Sequence, residues 1–153
     1  MLTANRKAFL DLIAFSEIGP ALLKVSDNGY NVLVGSTPEH PLLFTSYATH
    51  PRIHNAEFDS DAAGRYQLMG RYFAPYASLL GLHDFSPASQ DSIALQQIRE
   101  RGALPLIDGG DIELAVLRCN NIWASFPESR YGQHEQKMLN LLQAYTDAGG
   151  LVS

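Results

Sequence analysis

The chain has a single cysteine, Cys119, so it can form no internal disulfide. It has no apolar run approaching the ~20 residues that a membrane-spanning helix needs. It also lacks internal repeats, low-complexity segments and linkers. Positive charge is scarce, with 11 Lys+Arg against 16 Asp+Glu and a net charge of −5. Arg99 and Arg101 are the closest approach to a basic cluster. Nucleic-acid binding, which draws its affinity from a phosphate-facing basic patch, is therefore excluded as an expectation. So is attachment to an anionic membrane through a polybasic segment. A secretory signal is missing as well. Arg6 and Lys7 are present, but Asp11 and Glu17 interrupt the apolar run that follows. The chain is expected to be made in the cytoplasm without membrane insertion, and to need another component for release if its target lies beyond a membrane.

The 153 residues are enough for one domain. A chain of this size buries roughly 68–70% of its unfolded surface and needs no disulfide or metal to fold. Its hydrophobic share of 46% and charged share of 18% are ordinary for a globular protein. Helix signals bracket a less regular middle. A first helix is predicted over Ala4–Phe15, with Thr3 or Asn5 as N-cap and Gly19-Pro20 as its stop. Residues 28–35 read as a turn at Asn28-Gly29 and a short strand carrying Val32 and Val34. Residues 36–63 read as loop, and 64–69 as the closing strand of a small antiparallel sheet. Further helices are predicted at 71–80 with Pro75 near the first turn, at 87–101 after the cap Ser86, at 111–120, and at 133–146. The class expected is α+β, mostly helical, with the sheet in the N-terminal half.

The chemistry centres on Phe15-Ser16-Glu17 at the end of the first helix. At about 100° per residue, Phe9, Leu10, Leu12 and Ile13 share a side, and Glu17 projects on that side near Leu10. A carboxyl group on an apolar face is costly to ionise, so its pKa should rise into a range useful for donating a proton near neutrality. The competing reading is a solvated carboxylate where the helix frays. Cys119 sits in the helical pattern Ala115–Cys119, where a buried small apolar residue is expected rather than a nucleophile.

Around Glu17 the chain carries Gly-Tyr-Asn-Val-Leu-Val-Gly at 29–35, Leu-Phe-Thr-Ser-Tyr-Ala-Thr-His-Pro-Arg at 43–52 and Ala-Gly-Arg-Tyr-Gln-Leu at 63–68. A long run from Gly81 to Pro105 follows, then Cys-Asn-Asn-Ile-Trp-Ala-Ser-Phe-Pro at 119–127 and Tyr-Gly-Gln at 131–133. This order resembles the lysozyme (endolysin) family typified by bacteriophage lambda and its prophage relatives, from about Arg6 to Gly150. The resemblance implies a lysozyme-like α+β fold with a cleft between two lobes. It implies lytic transglycosylase activity on the β-1,4 bond between N-acetylmuramic acid and N-acetylglucosamine in peptidoglycan, leaving a 1,6-anhydro-muramic product. Its essential carboxyl group matches Glu17. Two mobile lips would correspond to Thr49–Asp61 and Phe126–Lys137. Peptidoglycan glycan strands are the expected partner and a monomer the expected state. A membrane-permeabilising holin would give access from the host bacterial cytoplasm to the periplasmic wall. No cofactor or metal is expected.

Supporting roles follow from the same resemblance. Gly64-x-x-Gln67 is similar to the Gly-x-x-Gln element of lytic transglycosylases, where Gly64 would allow close backbone approach and Gln67 would orient Glu17 or an N-acetyl group. Tyr66 would stack on a sugar face or pack in the core. Ser16 would hydrogen-bond the acid or merely end the helix. Trp123 reads as core. Tyr131 and Gln133 would line the cleft from the lower lip.

Three rival readings stand beside this one. A true hydrolase would need a second carboxylate, for which Asp27, Asp59 and Asp61 are candidates. Asp27 lies one residue off the Glu-x8-Asp spacing of T4-type phage lysozymes. A metal hydrolase on His40, His50 and His54 lacks a His-Glu-x-x-His pattern. A non-catalytic peptidoglycan-binding protein would have no reason to keep both Ser16-Glu17 and Gly64-x-x-Gln67. The chain departs from the family in two respects. Its acidic balance predicts weaker or more salt-tolerant wall affinity than a basic relative would show. Thr37–Pro41 reads as a small insertion that lengthens a loop.

Overall fold

The computed structural model describes residues 2–128 and 136–153. Seven helices are present among them: α1 (Ala4–Glu17), α2 (Pro20–Val25), α3 (Gly70–Leu80), α4 (Pro87–Glu100), α5 (Leu104–Asp108), α6 (Ile112–Cys119) and α7 (Met138–Asp147). The chain divides into two compact units, one formed by Met1–Glu17 with Leu95–Ser153 and the other by Ile18–Ala94.

The first unit is built on α1. Thr3 supplies the N-cap, its Oγ1 accepting from the Arg6 backbone N–H at 3.2 Å. Ala8, Phe9, Leu10, Leu12, Ile13 and Ala14 are all buried, so the helix is enclosed on more than one side. It packs on α7 and α5, and α6 packs on α5 and α7. The core gathers Ile98, Ile107, Ile112, Val116, Leu141 and Tyr145 around it. Asn5 is not the cap but a staple: its Nδ2 donates to Ile107 O at 3.0 Å and its Oδ1 accepts from Leu151 N–H at 3.0 Å. Arg6 adds a two-pronged pair with Asp108 at 2.9 and 2.7 Å.

The second unit has its core in Phe44, Ala63, Leu68, Phe73, Phe85 and Ile93. The small sheet predicted here is not formed as extended strands among the described residues. Four isolated antiparallel bridges stand in its place: Val32 with Leu43, Leu33 with Ala63, Ala63 with Leu68, and Asn55 with Ser60. Turns interrupt each ladder after a single bridge. Gly35 and Gly64 take φ of +85° and +88°, and Gln67 takes +51°, none of which continues a strand.

Two helices were missed at the sequence level, α2 and α5. Each carries its proline in the first turn, where the missing N–H is no loss. Pro20 therefore begins a helix as well as ending the one before. Pro75 lies inside α3 rather than in its first turn, and Gly81 closes that helix in the left-handed conformation. The predicted helix at 133–146 begins at Met138 in the described chain; residues 133–135 lie outside it.

Candidate active site

Glu17 is the last residue of α1. Its flanks explain its chemistry. Four residues back along the helix, Ile13 is fully buried, and so is the preceding turn. The segment after α6 folds back against α1: Ile122 and Trp123 N–H groups both donate to Cys119 O, at 3.0 and 3.3 Å, and Phe126 N–H donates to Trp123 O at 3.0 Å. This tight path buries Trp123 and Phe126, and the Phe126 ring meets Phe9 of α1 edge-on at 6.5 Å. Ser125, between those anchors, thereby reaches the end of α1. Its Oγ donates to Glu17 Oε2 at 2.5 Å and lies 2.7 Å from Ser16 Oγ. The Ser125 carbonyl accepts from Gln136 N–H at 2.8 Å, which fixes its backbone.

Burial is the largest influence on the Glu17 carboxyl and pushes its pKa up from 4.5 to about 7. The Ser125 hydroxyl and backbone N–H pull in the opposite direction by stabilising the carboxylate. The helix C-terminus, with no basic residue in its last turn, works with burial against the charged form. Part of the Glu17 surface remains accessible, as a group that exchanges protons with a substrate requires. Of the two readings of this residue, a frayed and solvated carboxylate is the one the geometry disfavours.

The Gly64-x-x-Gln67 element forms a tight turn in the second unit, closed by reciprocal hydrogen bonds of 3.0 Å between Ala63 and Leu68. Gly64 is needed because a Cβ there would collide with the Gln90 side chain from α4. The close approach is thus by Gln90, whose Oε1 accepts from Arg65 N–H at 2.9 Å and whose Nε2 donates to Tyr30 O and Phe85 O at 3.0 and 2.9 Å. Gln67 spends its Nε2 on Gly64 O at 2.9 Å and Val32 O at 3.3 Å, which leaves Oε1 as the acceptor the amide can offer.

Tyr66 is only 5% exposed, so its sugar-stacking reading gives way to the core one. Its hydroxyl donates to Asp91 Oδ1 at 2.7 Å and accepts from Arg65 Nη1 at 3.0 Å. Tyr30 donates to the same Asp91 oxygen at 2.9 Å, and the Arg65 guanidinium lies over both rings. This buried network braces the Gly64–Gln67 turn from behind.

The candidate second carboxylates are otherwise engaged. Asp27 accepts from Tyr47 at 2.5 Å. Asp61 accepts from Gly70 N–H at 2.9 Å, at the start of α3. Asp59 is 95% exposed in its side chain and faces His54 at 3.4 Å. Of the histidines, His50 is buried; its Nε2 bonds Leu68 O at 2.7 Å and its Nδ1 accepts from Arg52 N–H at 3.0 Å. Both ring nitrogens are spent on backbone, and desolvation lowers its pKa. Among the described residues no group of His, Cys, Asp and Glu is arranged to hold a metal ion. Cys119 is buried and its thiol is pushed up to about 12. Tyr131 and Gln133, with the lip residues 129–135, lie outside the described residues.

Sequence reasoning singled out Glu17 but not the Ser125 hydroxyl that bonds it. Ser125 stands in the Trp-Ala-Ser-Phe-Pro motif, and that motif was its only signal. Gln90 and Asp91 stand in the Gly81–Pro105 run and had no signal beyond it.

Similarity to known proteins extends over nearly the whole chain. The Endolysin of Escherichia phage lambda is 51% identical over 152 residues, 97% of this chain and 93% of that protein. The Endolysin of Escherichia phage P2 is 44% identical over 156 residues, 96% of this chain and 94% of that one. Among solved structures, bacteriophage lambda lysozyme complexed with a chitohexasaccharide superposes with a TM-score of 0.92 at 49% identity, covering 100% of this chain and 99% of that one. A second structure of lysozyme from bacteriophage lambda gives 0.87 at 48% identity, with the same coverage. The fold is lysozyme-like and predominantly helical. The family model described as Endolysin matches residues 7–152, and the chain belongs to the endolysin family.

Proposed function

We propose that this endolysin degrades peptidoglycan as a lytic transglycosylase, cleaving the β-1,4 bond between N-acetylmuramic acid and N-acetylglucosamine with Glu17 as acid and then base. The observation that carries the reading is the state of Glu17: a carboxyl group with a pKa of about 7 at the end of a buried helix, protonated near neutrality and held by one hydroxyl. Glycoside hydrolysis ordinarily uses a pair of carboxyl groups. Asp27, Asp59 and Asp61 are bound elsewhere or turned to solvent, which supports a mechanism with one.

One carboxyl group suffices when the nucleophile belongs to the substrate. Glu17 gives its proton to the glycosidic oxygen as the bond from that oxygen to C1 breaks. The C6 hydroxyl of the same muramic residue then attacks C1, and the Glu17 carboxylate takes its proton. The anhydro ring closes, Glu17 ends protonated as it began, and no water is consumed. The attack is intramolecular, so no second reactant has to be captured. A pKa near 7 suits both half-steps, because the group must be acid first and base afterwards.

Gln67, in the second unit, is a separate candidate for contact with the glycan. Its left-handed backbone and committed Nε2 hold Oε1 in a set direction, suited to accept the N–H of a sugar acetamido group. Gly64 serves by shaping that turn, and Ser16 by its contact with Ser125. Tyr131 and Gln133 remain candidate glycan contacts from the lower lip. The chitohexasaccharide held by the lambda lysozyme supports a glycan strand as the substrate. The enzyme acts as a monomer on the periplasmic wall of its host and depends on a holin to reach it. No helix among the described residues is long and apolar enough to cross a membrane.

A digest of purified peptidoglycan, with the muropeptides weighed by mass spectrometry, tests the reading. Products lighter by one water than their reducing-end counterparts, with no reducing sugar formed, are expected. Reducing ends would mean hydrolysis and would move attention to a second carboxylate. Absence of soluble fragments would leave a binding protein.

A further inference from the structure

We propose that Ser125 is a positioning residue for Glu17, and that the Ser16–Ser125 hydroxyl pair assigns the reactive proton to Oε1 of the acid. The inference rests on the acid role proposed for Glu17 and goes beyond it by naming what orients that acid.

Ser125 Oγ carries one hydrogen, and it points to Glu17 Oε2 at 2.5 Å. The 2.7 Å contact between the two serine hydroxyls must then be filled by the hydrogen of Ser16, with Ser125 accepting. Both serines are buried, Ser16 at 7% and Ser125 at 9% exposure, so neither hydroxyl can readily exchange its partner for water. In this arrangement both hydroxyl hydrogens are placed and Oε2 accepts from Ser125 in both charge states of the acid. A proton on Glu17 is consequently on Oε1. That oxygen both delivers the proton to the leaving glycosidic oxygen and recovers one from the C6 hydroxyl. The opposite orientation puts the proton on Oε2, where it points at Ser125 instead of the substrate.

The chain is rigid for a stated reason. Ser16 is fixed by the buried helix α1. Ser125 is fixed by Trp123 and Phe126 on either side and by Gln136 N–H on its carbonyl. A positioned acid loses less freedom on reaching the transition state, and a displacement of the order of 1 Å is enough to weaken proton transfer.

The test uses the full-length Ser125→Ala, Ser125→Thr and Ser16→Ala enzymes, with release of soluble fragments from purified peptidoglycan followed across pH. For Ser125→Ala, kcat on the acidic plateau is expected to fall about tenfold with KM little changed, because the hydrogen bond that orients the protonated acid is lost. Its descending limb should move up by about one pH unit, because the carboxylate has lost a donor. Ser125→Thr, which keeps a hydroxyl, restores the limb. Ser16→Ala leaves the bond from Ser125 to Glu17 but frees its direction, so a smaller shift of the same sign is expected. A loss of kcat with the limb unmoved would make Ser125 a packing residue and overturn the proposal. If Ser125→Ala does not fold, an unmoved limb in Ser16→Ala overturns it instead. Failure of the function proposed above reads differently. Reducing-end products would remove the transglycosylase while leaving the shift in place, since hydrolysis needs the same acid. Wild-type turnover in Glu17→Gln would remove both.

Discussion

Replacing Glu17 with Gln should stabilise the protein, and only above the acidic range. In the unfolded chain this carboxyl ionises near 4.5, whereas in the folded protein burial holds it protonated to about 7. Below pH 4.5 both states carry the proton and the residue contributes no penalty. As pH rises from 4.5 to 7 the unfolded chain releases the proton while the folded one retains it, so folding becomes progressively less favourable. Above 7 the penalty is constant. At ~1.4 kcal/mol per pH unit it amounts to at most about 3 kcal/mol, since the part of Glu17 that stays accessible shares its charge with water. Gln has no charge to bury and can still accept from Ser125. For a domain of this size, ~3 kcal/mol corresponds to a rise in Tm of roughly 6–12 °C. Thermal melts of both proteins by circular dichroism, in steps from pH 4.5 to pH 8, measure it. The gap between the variants should open with pH and level off above 7. A gap of the same size at every pH would show that Glu17 ionises normally, and the argument for a stored proton would be refuted.

The pH dependence of turnover should show the same group: kcat falls as pH rises through about 7, read from fragment release at saturating peptidoglycan, and a second limb of comparable weight near pH 4–5 would indicate a second carboxylate. Gly64→Ala should lower Tm by several degrees, because a Cβ meets Gln90 at a backbone φ of +88° and the combined cost exceeds ~1 kcal/mol. Tyr66→Phe should cost about 1–3 kcal/mol in urea denaturation, since it leaves Arg65 and Asp91 each short of a buried partner. His50 has its pKa lowered by burial, so stability should decline as pH falls below about 6.5, the range where the unfolded chain takes up the proton first; melts of His50→Gln, which does not titrate, should lose that part of the acid dependence.

What the sequence disclosed and what it hid divide along a physical line. The helices α1, α4 and α6 were legible because their signals are local: Thr3 and Ser86 as caps, apolar spacing, a glycine beyond the end. Glu17 was legible for the same reason, since a helical repeat predicts which face a side chain shares. The sheet was misjudged because alternation at Val32 and Val34 is also local, whereas a ladder requires neighbours to continue, and Gly35, Gly64 and Gln67 turn the chain away. Tyr66 could not be settled by pattern: its burial follows from Asp91 and Arg65 closing over it. Pro20 read as a stop, since the same residue that ends one helix is well placed to begin another; Pro105 gave no helix signal, though it stands in the first turn of α5.

Ser125 shows the limit most plainly. It lies 108 residues from Glu17, and no spacing rule relates the two. They meet because Phe126 packs on Phe9 and Trp123 is buried beside it, so the apolar contacts that fold the unit also deliver the hydroxyl. The same core supplies the desolvation that keeps Glu17 protonated. Stability and chemistry are therefore opposed at one residue and joined in its surroundings: α1 must be buried for the domain to fold, and that burial disfavours the charge on the residue at its end. The Ser125 bond offsets part of this effect and holds the pKa of Glu17 near neutrality, the range that the proposed acid and base roles require. Alanine in place of Ser125 would lose the offset without adding bulk between Trp123 and Phe126, leaving an acid that gives up its proton less readily.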